Sequence, residues 1–251
     1  MKLLPPCAAA LLFALCPAQA DIQTQNQVDS LGGINTPLRN AVRTYQAYYA
    51  AAQFTSVVTT QSITGIEFRL ATNNSGVTAG GTWPAQDLTF ADYTIQLSVA
   101  SAALVAEGQY PNGTTAFSYG QGANLITVRS GPLVIPAGSF TNAGASPTAN
   151  DYGFTIPFTI PYTFAPGDSL VLTLGLSGYT PSGAAAAFFA TSATVDGQAA
   201  AISSTTSGSA ANANALSTPL FVNFVTTPVP EPGGAGLLLL GALATTFARR
   251  R

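Results

Sequence analysis

Two carboxylates, Asp87 and Asp92, flank Phe90, and Asp151 stands just ahead of a β-rich stretch. Carboxylates about 5 to 10 Å apart are what glycoside hydrolysis requires, one as acid and one as nucleophile or base. Nothing in this spacing forces any two together. Each sits among turn-forming residues, where an Asp side chain ordinarily bonds backbone amides instead. No D-x-[DN]-x-[DN]-G loop is present, so a calcium ion would have to be held by separated loops. The chain has no histidine, which excludes Ser-His-Asp and Cys-His catalysis, His-liganded zinc and imidazole acid–base chemistry. Neither a catalytic set nor a cofactor or metal site is expected, and a non-enzymatic protein is the reading that remains.

Trp83 is the only tryptophan, and Gly80-Gly81-Thr82 before it and Pro84 after it read as a loop. An exposed indole there, with Tyr110 or Tyr119, would make a platform for a sugar ring. Tryptophan is more often largely buried, so a cap on the core is the favoured reading. Arg43, Arg69 and Arg129 fall on expected strands, as polar-face residues or in ion pairs with Glu67 and other acids.

Charge is scarce: the 251 residues hold 8 Lys+Arg and 10 Asp+Glu, 7% charged against 47% hydrophobic. Half of the basic residues, Lys2 and Arg249, Arg250 and Arg251, lie at the chain ends, so no basic patch remains and nucleic acid is excluded as a partner. Residues 1–20 carry Lys2, an apolar run over 8–15, and Ala18-Gln19-Ala20. That order predicts a signal peptide cut by signal peptidase after Ala20, with Ala18 and Ala20 as the small residues it reads. Both cysteines, Cys7 and Cys16, fall in this leader, so the exported chain has no thiol and no disulfide.

At the other end Val229-Pro230-Glu231-Pro232 precedes a charge-free run over 233–248 and then the three arginines. Sixteen helical residues rise roughly 24 Å, just short of a hydrocarbon core of about 30 Å unless arginine stems snorkel. A single transmembrane helix over 233–248 is expected, its arginines serving as a cytoplasmic anchor. A buried core helix with a basic tail is the alternative, disfavoured because no polar face interrupts the run. Pro230 and Pro232 fix φ, lack N–H groups and keep their predecessors extended, so the motif stays outside the helix.

Val-Pro-Glu-Pro, a short Gly/Leu-rich helix and a terminal arginine cluster, in that order, resemble the PEP-CTERM sorting signal over 227–251. The resemblance implies export in a Gram-negative, exopolysaccharide-producing bacterium and processing by the membrane enzyme exosortase. The final place would be the cell surface or the medium, after transient anchoring in the inner membrane. An exosortase pocket could read Glu231 through a charge-assisted hydrogen bond.

Residues 21–226 between the signals make one exported domain with a net charge of −5. Period-two alternation marks strands over 63–70 and 93–99, with further candidates over 125–129, 154–161, 169–176, 187–195 and 220–225. Turn residues separate them at 111–113, 136–138, 166–168 and 196–197. The stretch 38–54 suits a helix through its alanines and Tyr45 and Tyr49, and also a strand; the β-rich sequence after it favours the strand. Residues 199–217, almost all Ala, Ser, Thr, Asn and Gly, are expected to form a low-complexity loop. The fold class expected is all-β, an antiparallel, jelly-roll-like β-sandwich. The segments around Arg43, Ile63, Trp83, Tyr93, Val128 and Pro166 also resemble the exported region of many PEP-CTERM proteins, which implies a sandwich without an assigned activity. The function expected is a surface or extracellular-matrix protein. A carbohydrate-binding module for exopolysaccharide is the alternative, and a glycan-active enzyme is a remoter one.

Overall fold

The computed structural model describes residues 21–24, 33–72, 75–111, 115–144, 149–191, 199–205, 212–213 and 215–229. The leader with Ala18 and Ala20, the motif residues Pro230, Glu231 and Pro232, the expected transmembrane helix and Arg249, Arg250 and Arg251 lie outside them. Among the described residues no helix is long and apolar enough to cross a membrane.

The strands of the two main sheets are β1 Ile22–Gln23, β2 Val42–Tyr49, β3 Gln61–Phe68, β4 Tyr93–Val99, β5 Ile126–Arg129, β6 Ile156–Phe164, β7 Leu170–Ser177, β8 Ala199–Ser204, β9 Ala215–Ser217 and β10 Val222–Pro228, and the period-two segments read over 63–70 and 93–99 are β3 and β4 among them. They form two antiparallel sheets, β1-β10-β3-β6 and β9-β8-β2-β7-β4-β5. Alternation decides which side chains meet between them. Tyr45, Ala47 and Tyr49 of β2, Leu170, Leu172, Leu174 and Leu176 of β7, and Tyr93, Ile95 and Leu97 of β4 share one core with Ile63, Ile66 and Phe68 of β3 and Phe224 of β10. The all-β, antiparallel expectation is met. Of the expected strand over 187–195 the described part shortens to Phe189–Ala190, and the turn at 196–197 lies outside the described residues.

The stretch 38–54 is a strand, not a helix, flanked by 3-10 turns at Thr36–Leu38 and Ala51–Phe54. Residues 44–49 are all buried, on both faces of the strand, as a central strand covered on two sides requires. The second cover comes from α1, Ala102–Glu107, and the segment after it: Leu104, Tyr110 and Phe117 pack on Tyr48, Val171, Ala200 and Ile202. Ser101 caps α1, its Oγ accepting from the Leu104 N–H at 3.1 Å, and Gly108 at φ 66° ends it. Gly120 belongs to this layer because a Cβ there would lie 2.6 Å from Gln46 Oε1 and 2.8 Å from Tyr110 Oη.

The low-complexity loop expected over 199–217 is corrected: among its described residues, strands form at Ala199–Ser204, Asn212–Ala213 and Ala215–Ser217. Ala199–Ser204 is a wholly buried strand, paired with β2 from Ala199↔Tyr49 to Ser204↔Thr44. Small side chains, read as too little apolar surface, are what this strand sets beside the tyrosines of β2, with Ala199 opposite Tyr49 and Ala200 opposite Tyr48. Replacing Ile202, 1% exposed, with Ala is expected to cost about 2–5 kcal/mol in urea unfolding. A change below about 0.5 kcal/mol, the value for a surface loop, would contradict the buried strand.

Candidate functional site

Trp83, Asp87, Asp92, Arg69 and Arg129 are tied into the fold, whereas Asp151 is exposed and Arg43 half-buried. Trp83 lies on the short strand Thr82–Trp83, is 5% exposed, and packs its ring against Phe140 and Phe189 with centroids 5.8 Å away in each case. Its Nε1–H donates to the Ala185 carbonyl at 2.7 Å. Tyr110 is buried and Tyr119 half-buried. The core cap, the favoured reading of Trp83, is what the structure shows, and the alternative of an exposed sugar platform there is not met. A ring with its faces on phenylalanines and its one donor used offers nothing for a sugar to stack on.

The carboxylates do not converge. Asp87 Oδ1 accepts from the Ala137 N–H at 2.8 Å, and Asp92 Oδ1 from the Gly131 N–H at 3.0 Å. Both are exposed clasps between loops 50 and 39 residues apart in the chain. Arg129 donates to the carbonyls of Pro132, at 2.6 Å, and Pro157, at 3.3 Å. Arg69, expected on a polar face, is 3% exposed, with its guanidinium carbon 4.6 Å from the Phe221 ring centroid and 5.4 Å from that of Tyr152. Cation–π attraction of this kind is stronger where water is removed. Among the described residues no three Asp, Glu, Cys or His side chains gather as a metal site.

A different constellation lies where the two ends of the domain meet. β1 and β3 flank β10, with Gln23 and Glu67 both in register with Asn223. The Asn223 side chain, 3% exposed, donates through Nδ2 to Asp21 Oδ2 at 3.2 Å and to Glu67 Oε2 at 2.7 Å. The Thr155 hydroxyl donates to Glu67 Oε1, and the Thr226 N–H to Asp21 Oδ1 at 3.3 Å. Asp21 is the first residue after the expected leader cut, and Val229, 39% exposed, is the only described member of the sorting motif. One amide thus ties Asp21, at the start of the described residues, to β3 and to the strand that ends at Pro228. Sequence reading missed Asn223, since its two partners are 202 and 156 residues away and no local pattern marks it.

Two tyrosines position β10 from the other sheet. Tyr45 Oη donates to the Thr218 carbonyl at 2.9 Å and accepts from the Leu220 N–H at 3.0 Å. Tyr49 Oη donates to the Leu220 carbonyl at 2.8 Å. Tyr93 Oη likewise reaches the Pro37 carbonyl at 2.8 Å. Burial raises the pKa of all three phenols well above the ordinary tyrosine range.

The unfolded tyrosines ionise near pH 10, so above that pH the unfolded state holds fewer protons and is favoured. Stability contributed by these phenols is complete below about pH 10 and is lost as pH rises beyond it. Unfolding followed by circular dichroism and the phenolate absorbance of these tyrosines are expected to rise together above that pH. Phenolate appearing in a still-folded protein in proportion to all 9 tyrosines would contradict the burial. Asn223→Leu strands two carboxylates without their shared donor and is expected to lower stability by about 1–3 kcal/mol. Asn223→Asp adds a third carboxylate and lowers it further, by a margin that shrinks as salt is raised. Equal stability of both variants with the parent would remove the amide from this role. No family profile, curated protein or solved structure matches the chain.

Proposed function

We propose that this is an exported, non-enzymatic β-sandwich protein of jelly-roll type, delivered by an N-terminal leader. Its C-terminal sorting signal of the PEP-CTERM kind holds it briefly in the inner membrane. The observation that carries this reading is the order of the last residues: a Val229-Pro230-Glu231-Pro232 segment, an uncharged run over 233–248, and Arg249-Arg250-Arg251. Signal peptidase removes residues 1–20, and exosortase acts near Pro230. The protein then resides at the cell surface or in an exopolysaccharide-rich matrix.

What the geometry adds in support is the approach to the motif. β10 is hydrogen-bonded along its length as far as Pro228↔Gln61, and the motif follows at once. A proline-framed segment cannot extend that ladder, because Pro230 and Pro232 have no N–H to donate. Backbone that neither sheet nor helix claims is what a processing enzyme can take into its own cleft. Glu231 is the one formal charge between Asp196 and Arg249, so a cationic pocket would find it without competition.

No observation on the described surface favours the carbohydrate-binding alternative at Trp83, since its indole is spent on the core. Glu231→Ala is expected to leave the protein in its unprocessed, membrane-held length on an immunoblot from cells possessing the enzyme. Product of normal mature length from that variant would overturn the role given to the glutamate.

A further inference from the structure

We propose that one particular end of the domain, the one carrying Val58, faces the lipid headgroups while the precursor is membrane-held. This rests on reading the tail as a membrane-held sorting signal. It adds an interaction surface and its partner, a lipid surface, to that reading.

Strand direction carries the inference. β1 and β10 are antiparallel, with Ile22 opposite Phe224 and Gln23 opposite Asn223. Followed backward from Ile22, the chain heads the same way as β10 followed forward, and Asp21 already receives the Thr226 N–H. The peptide bond preceding Asp21 and the exit at Pro228 therefore lie toward one end of the molecule, on strands about 4.8 Å apart. Leader and tail both belong to the membrane in the precursor, and they leave side by side.

The rest of that end follows from the register. Pro228 pairs with Gln61, which also pairs with Phe164. Gln61 opens β3 after the connection from Tyr49, and Phe164 leads through the turn at 165–169 into Leu170, itself paired with Tyr49 and Val99. The connection over 50–60 carries no charged residue, and within it Val58 is 80% exposed, the most exposed large apolar side chain described. Val229, also exposed, emerges at the same end. Acidic residues on the segments that adjoin this end are Asp21, Asp168 in the turn, and Glu107 on the helix that follows Val99.

Length restricts the alternatives. Only residues 229–232 separate the last paired residue from the apolar run, at most about 14 Å when fully extended. β10 alone is 7 residues, about 23 Å long, so the tether cannot reach around the domain to bring its other end to the bilayer. That other end holds the short strands Leu88–Phe90, Leu133–Ile135 and Tyr179–Thr180, which join β4 at Tyr93 and β7 at Ser177. Val134 there is 48% exposed. The uncharged connection over 50–60, with an apolar tip, suits the interfacial zone, where desolvating a charge would be costly and a valine gains from leaving water.

The full chain, with Val58→Cys or Val134→Cys, carries a single thiol once the leader is removed, because both native cysteines lie in the leader. Each variant, purified unprocessed from cells without exosortase, is labelled with an environment-sensitive fluorophore. It is then reconstituted into phosphatidylethanolamine/phosphatidylglycerol vesicles containing a headgroup nitroxide lipid. The expected result is co-flotation of both variants with the vesicles and severalfold stronger quenching at position 58 than at 134. Co-flotation with equal quenching, or with stronger quenching at 134, would overturn the orientation and leave the sorting reading standing. Failure to float with the vesicles would overturn both.

Discussion

The last strand of the domain is an inner strand. Val222–Pro228 is hydrogen-bonded on one side to Ile22–Gln23 and on the other to Gln61–Phe68, so the first and last described segments close the same sheet. Backbone amides and carbonyls in an inner strand must be paired on both sides, and leaving them unpaired in the interior would cost more than most side-chain contacts return. The four-stranded sheet is complete only when residues near the end of the domain are present. Pairings across about two hundred residues also place the fold among those whose loop-closure entropy is high and whose folding is slow.

The six-stranded sheet solves a different problem, that of a sheet buried on both faces. One face meets the other sheet through tyrosines, leucines and isoleucines, and the opposite face is roofed in part by α1 and the segment around Tyr110 and Phe117. Polar groups trapped by the roof satisfy one another: Gln46 donates to Thr173 Oγ1 at 2.8 Å and accepts from Tyr110 Oη at 3.0 Å. Satisfied polar groups of this kind fix register, since a one-residue slip would turn Gln46 into the apolar core. The exposed edge of the four-stranded sheet is guarded differently. β6 carries Pro157 and Pro161 and a break in register between Pro157 and Tyr162, features that prevent a second chain from adding to it.

Function and architecture meet in how little of the described surface is chemically committed. Carboxylates clasp loop amides, Arg129 holds loop carbonyls and Arg69 lies between two aromatic rings. These polar groups do structural work in a protein that carries only 7% charged residues. On the proposed reading, specificity of handling resides in the two ends, and the sheets determine how those ends are presented. The Asn223 amide, shared between Asp21 and Glu67, is where presentation and stability coincide.

Much of this was legible in the residues themselves. The period-two segments over 63–70 and 93–99 were readable because alternation is a property of neighbours, whereas the expected leader and tail rest on the order of a few adjacent residues alone. Other features were not readable, for one physical reason: burial and pairing are set by residues far away in the chain. The alanine-rich stretch at 199–204 reads as loop until β2 lies beside it, and Trp83 reads as a core residue without any sign that Phe140 and Phe189 are its neighbours. The short helix Ala102–Glu107 carried only a Ser101 cap and a terminal Gly108 as local signals, and its place is set by the sheet face it roofs. Composition and order along the chain determined the all-β class and the expectation of export. Only the tertiary structure decided that β1 lies against β10 and that Asp21 and Pro228 lie toward the same end of the sheet, because strand partners are chosen by shape and hydrogen bonding across space.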